Sequence, residues 1–134
     1  YAYSSIAFEN YEKMINKEDV TDGFFFSKNI TPQIKEFHEL SGDMHDKFNE
    51  FHNLVYEDGH LSKKLKKGLM GLVCAILAKC SWCIRSCIRD GIKEGVTKAE
   101  ITEAVNIAMV MAAGACWAHA GITMETASTF GKKK

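Results

Sequence analysis

The chain has 134 residues, 46% hydrophobic and 25% charged, and its 17 basic and 17 acidic side chains give a formal net charge of zero. That length holds one domain around one core, and the composition is that of a folded globular protein rather than a chain that stays disordered. The lack of a basic excess excludes a general nucleic-acid binder. The longest apolar stretch, around residues 69–78, is short of the roughly 20 residues a bilayer span requires, so no transmembrane helix is expected.

Residues 1–22 show no basic start followed by an apolar block and a cleavage site, so no secretion signal is expected. Residues 1–30 carry Phe24-Phe25-Phe26 after the turn-prone Thr21-Asp22-Gly23 and no sustained helical stripe. They are expected to form an arm that packs on the body or on a neighbouring subunit. From residue 31 the single proline and the absence of alternating apolar and polar runs make helix the dominant period, and residues 31–131 are expected to be an all-α domain.

Thr31 is a candidate N-cap with Pro32 at the first helical position. The helix it opens carries Phe37, Met44, Phe48, Phe51 and Val55 at helical intervals, which predicts one buried face, and it is expected to end near Glu57-Asp58-Gly59. Ser62 offers the next N-cap, and the following helix bears a broad stripe of Leu65, Leu69, Leu72, Val73, Ile76 and Leu77, with Cys74 inside it as a core residue. Lys63, Lys64, Lys66 and Lys67 in its first turns oppose the helix dipole, a small local cost or a positive patch close to something anionic. Ile84, Ile88 and Ile92 then repeat every four residues in a short helix capped by Gly95. Thr97 with Glu100 is a capping box opening onto Ile101, Val105, Ala108 and Met109, with Ile107 at the edge of that stripe. The run Ala112-Ala113-Gly114-Ala115 is small enough for close helix packing, and residues 132–134 form a frayed basic tail.

Five cysteines, three of them between Cys80 and Cys87, make a poor secreted disulfide framework and fit a reducing, cytoplasmic setting. Cys80-Ser81-Trp82-Cys83 is a C-x-x-C whose spacing on the first turn of a helix brings two sulfurs within reach of one another. A thiol at a helix N-terminus has its thiolate favoured by unpaired N–H groups and the dipole, and Lys79, Arg85 and Arg89 push the same way. Such a pair suits thiol–disulfide exchange or attack on a peroxide oxygen. On a helix Cys80, Cys83 and Cys87 share one stripe, so Cys87 is a third thiol, a third ligand or a small buried hydrophobe.

A competing constellation adds Cys116-Trp117-Ala118-His119. Cys80 and Cys83 with Cys116 or Cys87 and His119 would make a zinc or iron–sulfur module, although the intervening segment is longer than compact zinc modules use. His38, His45 and His52 recur every seven residues, about 10.5 Å of helix rise, too far for two of them to share one ion within a single chain. No spaced carboxylate pair, G-x-G-x-x-G, Walker loop or G-x-S-x-G is present, and no cofactor is expected.

The run from Gly68-Leu69-Met70-Gly71-Leu72-Val73 through Cys80-Ser81-Trp82-Cys83 to Gly95-Val96-Thr97-Lys98-Ala99-Glu100-Ile101 resembles the carboxymuconolactone decarboxylase and alkylhydroperoxidase D-like (AhpD-like) family. The likeness covers roughly Ile34 to Ala127. It implies an all-α AhpD-like helical bundle assembled into a homotrimer or homohexamer. It also implies, since the cysteine pair marks the redox branch, thiol peroxidase or disulfide-reductase chemistry with an antioxidant role. By analogy Cys83 would attack the peroxide, Cys80 would resolve it, and an external thiol of unidentified kind would supply electrons. The family's glutamate twelve residues before the first cysteine and histidine four after the second are replaced here by Gly68 and Cys87. Both relay groups are therefore missing, and His119 is the nearest substitute as proton carrier, with Cys87 an auxiliary thiol. A scaffold that kept the fold and lost the relay is the remaining alternative.

Overall fold

A computed structural model of the chain describes Tyr11 and residues 31–131. The expected arm at 1–30, Tyr11 apart, and the expected tail at 132–134 lie outside the described residues. All the elements are helical: α1 (Thr31–Ser41), α2 (Asp43–Tyr56), α3 (Lys64–Met70), α4 (Gly71–Leu77), α5 (Ser81–Lys93) and α6 (Lys98–Gly131). No strand occurs among the described residues, so the all-α expectation holds.

The single helix expected from Thr31 is broken in two. Gly42, at φ 53°, occupies left-handed backbone that a side chain would disfavour, and its carbonyl accepts His45 N–H (3.0 Å) to start α2. The break also overturns the spacing argument for the histidines, because the chain no longer rises along one axis. The rings of His38 and His45 stack with centroids 3.7 Å apart. Nor is the apolar face of this region buried: Phe37 is 67% exposed and Met44 76%, and Phe48, Phe51 and Val55 are exposed as well. The periodicity was that of a covered face, but the described helices do not cover it.

The core lies where α4, α5 and the first turns of α6 meet. Leu72, Ile84, Ile88 and Ile101 are fully buried there, joined by Ala75, Cys87, Val96, Ala104 and Val105, with Tyr11 packed against them. The starts of α3 and α6 follow the sequence signals, whereas Thr31, expected as an N-cap, is already the first residue of α1. Ser62 Oγ accepts Leu65 N–H (3.2 Å). Thr97 and Glu100 exchange reciprocal bonds, Thr97 N–H to the carboxylate (2.7 Å) and Glu100 N–H to the hydroxyl (3.2 Å). Helix α3 is π-helical, its wider turn closed by Gly71 N–H donating to the Lys66 carbonyl, and Lys67 and Gly68 are buried on it. At the end of α5, Gly95 takes φ 80°, while Val96 N–H reaches back to the Gly91 carbonyl (2.9 Å) and Gly95 N–H to that of Ile92 (3.0 Å).

Two close approaches hold α3 and α4 against α5. A Cβ on Gly68 would come within 2.6 Å of Val96 Cγ2 and 2.9 Å of Gly91 Cα, and one on Gly71 within 3.1 Å of Cys87 Sγ. At Gly68 and Gly91 the two helices touch by backbone, which glycine permits, and at Gly71 the Cys87 sulfur packs directly on the chain.

Helix α6 extends well past the core. Ile101, Ala104, Val105 and Ala108 are buried, whereas Met109, expected in the same stripe, is exposed, as is Ile107. Every residue from 109 to 131 is exposed, Trp117 at 82%. Between Glu103 and Glu125 there is no Asp, Glu, Lys or Arg. By length and composition this is the one helix among the described residues that could cross a membrane, contrary to the expectation that none would. Counted as residues 69–78 were, with glycine and cysteine as apolar, residues 107–118 already form a longer run, and beyond His119 no fixed charge follows until Glu125.

Candidate active site

Cys80 and Cys83 meet where α4 turns into α5. Lys79 ends α4 at φ 56°, a left-handed conformation unusual for a residue with a side chain, and lets Cys80 N–H reach back to the Ala75 carbonyl (3.0 Å) and its own N–H to that of Ile76 (3.1 Å). That reversal makes Cys80 the N-cap of α5, its Sγ accepting Cys83 N–H at 3.2 Å. The two cysteines, 5.2 Å apart at Cα, form a disulfide. Cys80 is half-buried and Cys83 exposed.

Cys83 opens onto a cleft of about 710 Å³ between α2 and the α4–α5 pair. Phe48, Val55, Met70 and Trp82 supply apolar walls, and Arg85 stacks on Trp82 with its guanidinium 5.3 Å from the ring centroid. Cys74 is exposed and lines the cleft instead of filling the core, because Leu72 and Ala75 take the buried face of α4. Cys87 belongs both to the core and to the cleft floor. Burial pushes its thiol up to about 11, with Asp90 and Cys74 adding to the effect and Lys67 and Arg89 opposing it.

At the same floor stands a group that the sequence marked only as one of four lysines near a helix start. Lys67 is only 7% exposed, and its Nζ donates to His52 Nε2 (3.3 Å), faces Asp90 Oδ2 (3.8 Å) and lies over the Tyr56 ring (4.5 Å). Asp90 is shared with Arg89, whose Nε donates to it at 2.9 Å. Burial raises the Asp90 carboxyl, but the Arg89 hydrogen bond and the charges of Arg89, Lys67 and Lys93 outweigh it and hold the group below the ordinary aspartate value. The other lysines of the expected patch are held on the surface: Lys63 faces Glu94 (3.6 Å), Lys64 donates to Glu100 (2.7 Å), and Lys66 donates to the Glu57 carbonyl (2.7 Å). The one signal for Lys67 was the unusual density of cations beside a helix start.

His119 sits on the exposed half of α6, its Nδ1 donating to the Ala115 carbonyl (2.6 Å), and it does not line the cysteine cleft. Cys116 is exposed on the same stretch. Among the described residues no group of three or more His, Cys, Asp or Glu side chains is placed to hold a metal ion, so the ligand set considered for zinc or an iron–sulfur cluster is not assembled within this chain.

Residues 42–122 match the carboxymuconolactone decarboxylase family. The chain belongs to that family. A protein of Paracoccus denitrificans, called uncharacterized protein 4 in cox locus, is 37% identical over 75 residues, which are 56% of this chain and 67% of the relative. No solved structure matches. Carboxymuconolactone decarboxylase membership agrees with the all-α fold, and the close packing explains one departure from the redox motif. A glutamate at position 68 would have to displace Val96 and the Gly91 backbone.

Proposed function

We propose that the protein is a thiol-dependent oxidoreductase that cycles Cys80 and Cys83 between dithiol and disulfide, with an organic peroxide as oxidant. The observation that carries this is the placement of the pair: joined at the first turn of α5, with the exposed Cys83 facing the cleft. The Cys83 thiolate attacks a peroxide oxygen, the O–O bond breaks, and the leaving alkoxide takes a proton to depart as an alcohol. Cys83 is then a sulfenic acid. The Cys80 thiolate, favoured by the Cys83 N–H and the α5 terminus, attacks that sulfur and displaces hydroxide, which leaves as water with one proton. Two molecules of an external thiol restore the dithiol and become a disulfide themselves. A cytoplasmic antioxidant role fits this cycle, since a reducing compartment supplies such thiols.

General acid–base help is worth about 10²–10⁴ in rate. With Gly68 and Cys87 in place of the family's relay, turnover below that of a relay-bearing enzyme is expected. His119 would act on this site only from a neighbouring subunit, which fits the proposed homotrimer or homohexamer. The test is a reduced protein exposed to cumene hydroperoxide. The wild type is expected to form the Cys80–Cys83 disulfide, Cys80→Ser to accumulate a sulfenic acid that dimedone traps on Cys83, and Cys83→Ser to do neither. Undiminished peroxide reduction by a Cys80→Ser/Cys83→Ser protein would overturn the reading.

A further inference from the structure

The cleft over Cys83 has a pronounced charge asymmetry. Its lining includes Lys66, Lys67 and His52 but, among the described residues, no carboxylate, whereas the adjoining cleft of about 370 Å³, which shares Lys67, is lined by Glu57, Asp90 and Glu94 as well. Lys67 is the buried member, and the described residues around it neutralise it only in part. Among the described residues its one ion-pair partner, Asp90, is 3.8 Å away and is held more tightly by Arg89, while His52 and Tyr56 contribute an acceptor nitrogen and a ring face. A buried ammonium with an incomplete counter-charge attracts an anion that can reach it. The rest of the cleft is apolar and, at about 710 Å³, lies in the range that takes a molecule of many heavy atoms rather than hydrogen peroxide.

We propose that this cleft binds an amphipathic organic carboxylate, its chain against Phe48, Val55, Met70 and Trp82 and its carboxylate toward Lys67. Applied to the thiol reaction, which rests on the reading above, the preferred oxidant is a hydroperoxide of an aliphatic acid, with the carboxylate fixing the chain so that the peroxide lies beside Cys83. The two claims separate experimentally, because binding needs no turnover.

Calorimetry on the disulfide form would compare octanoate, octanol and acetate. Octanoate is expected to bind about tenfold or more tightly than octanol, the discrimination a charge-assisted hydrogen bond supplies, and acetate to bind weakly for want of a chain. Octanoate is further expected to slow alkylation of Cys74, which lines the same cleft. Lys67→Met is expected to bring octanoate down to the affinity of octanol. Equal binding of octanoate and octanol by the wild type, unchanged Cys74 alkylation, or a folded Lys67→Met that keeps its octanoate affinity would each overturn the proposal. The first two comparisons use unaltered protein, so they decide the matter even where Lys67→Met does not fold. If octanoate binds as expected and the cysteine pair proves inert toward hydroperoxides, the redox reading fails alone. If the pair turns over cumene hydroperoxide and octanoate does not bind, the carboxylate site fails alone.

Discussion

Each cysteine owes its chemistry to where its sulfur sits. Cys80 and Cys83 hold the helix terminus and the surface, while Cys87, one turn further along, is sealed against Gly71 and the core with its thiol at about 11. In the reduced protein at pH 7.5 iodoacetamide is expected to label Cys83 rapidly and Cys87 slowest of all, which peptide mass spectrometry reads directly. The same burial makes stability depend on alkaline pH. Above pH 9 the unfolded thiol ionises while the buried one keeps its proton, so the folded state is penalised progressively until pH 11, by up to about 3 kcal/mol. Urea midpoints of the wild type are expected to fall across that window, and Cys87→Ala to flatten the fall. Lys79 is a second local feature. Its φ of 56° costs a non-glycine residue about 1–2 kcal/mol, so Lys79→Gly is expected to raise the thermal midpoint without altering disulfide formation.

Helix packing explains why this member of the family departs from its redox motif. The π-helical α3 presents Gly68 to Gly91 and Val96 at backbone distance, and α4 presents Gly71 to Cys87. A side chain at position 68 overpacks a fully occupied contact, which costs about 1–3 kcal/mol. Gly68→Ala is expected to lower stability by that amount, measured by urea denaturation. Gly68→Glu is expected to lower it further and not to raise peroxide turnover, since the carboxylate would be forced into the α3–α5 contact rather than toward the thiols. The position of Lys67 follows from the same element: the wide turn of α3 buries residues 67 and 68 together.

Two parts of the molecule are apolar and uncovered: the α1–α2 face and the outer half of α6. A helix with no charged side chain on any face between Glu103 and Glu125 is stable when surrounded, and a patch of this size on a chain is a contact surface. The α1–α2 face carries Glu36, Glu39, Asp43 and Asp46 around its apolar residues, and we propose that a second copy of the chain, rather than a bilayer, covers both parts. Light scattering is expected to give a trimer or hexamer at micromolar concentration. Trp117→Glu together with Met124→Glu is expected to shift that mass toward the monomer. A wild-type monomer that floats with phosphatidylcholine vesicles would contradict this assembly.

The all-helical class, the capping signals at Ser62 and Thr97–Glu100 and the juxtaposition of Cys80 with Cys83 were legible in the sequence, because local hydrogen bonding and a three-residue spacing on one helical turn settle them. The family could be read for the same reason, its motif being contiguous. Covering and convergence could not. Whether Phe37 and Met44 are buried depends on what packs against them, and Cys74, which the stripe marked as core, and Cys87, whose role it left open, exchange places once α2 and α4 pack. The break at Gly42 is a local backbone choice that an uninterrupted helical period hides, and the gathering of Lys67, His52, Tyr56 and Asp90 from three helices arises from tertiary contacts between residues far apart in the chain. No periodicity in the sequence records which distant side chains those contacts bring together.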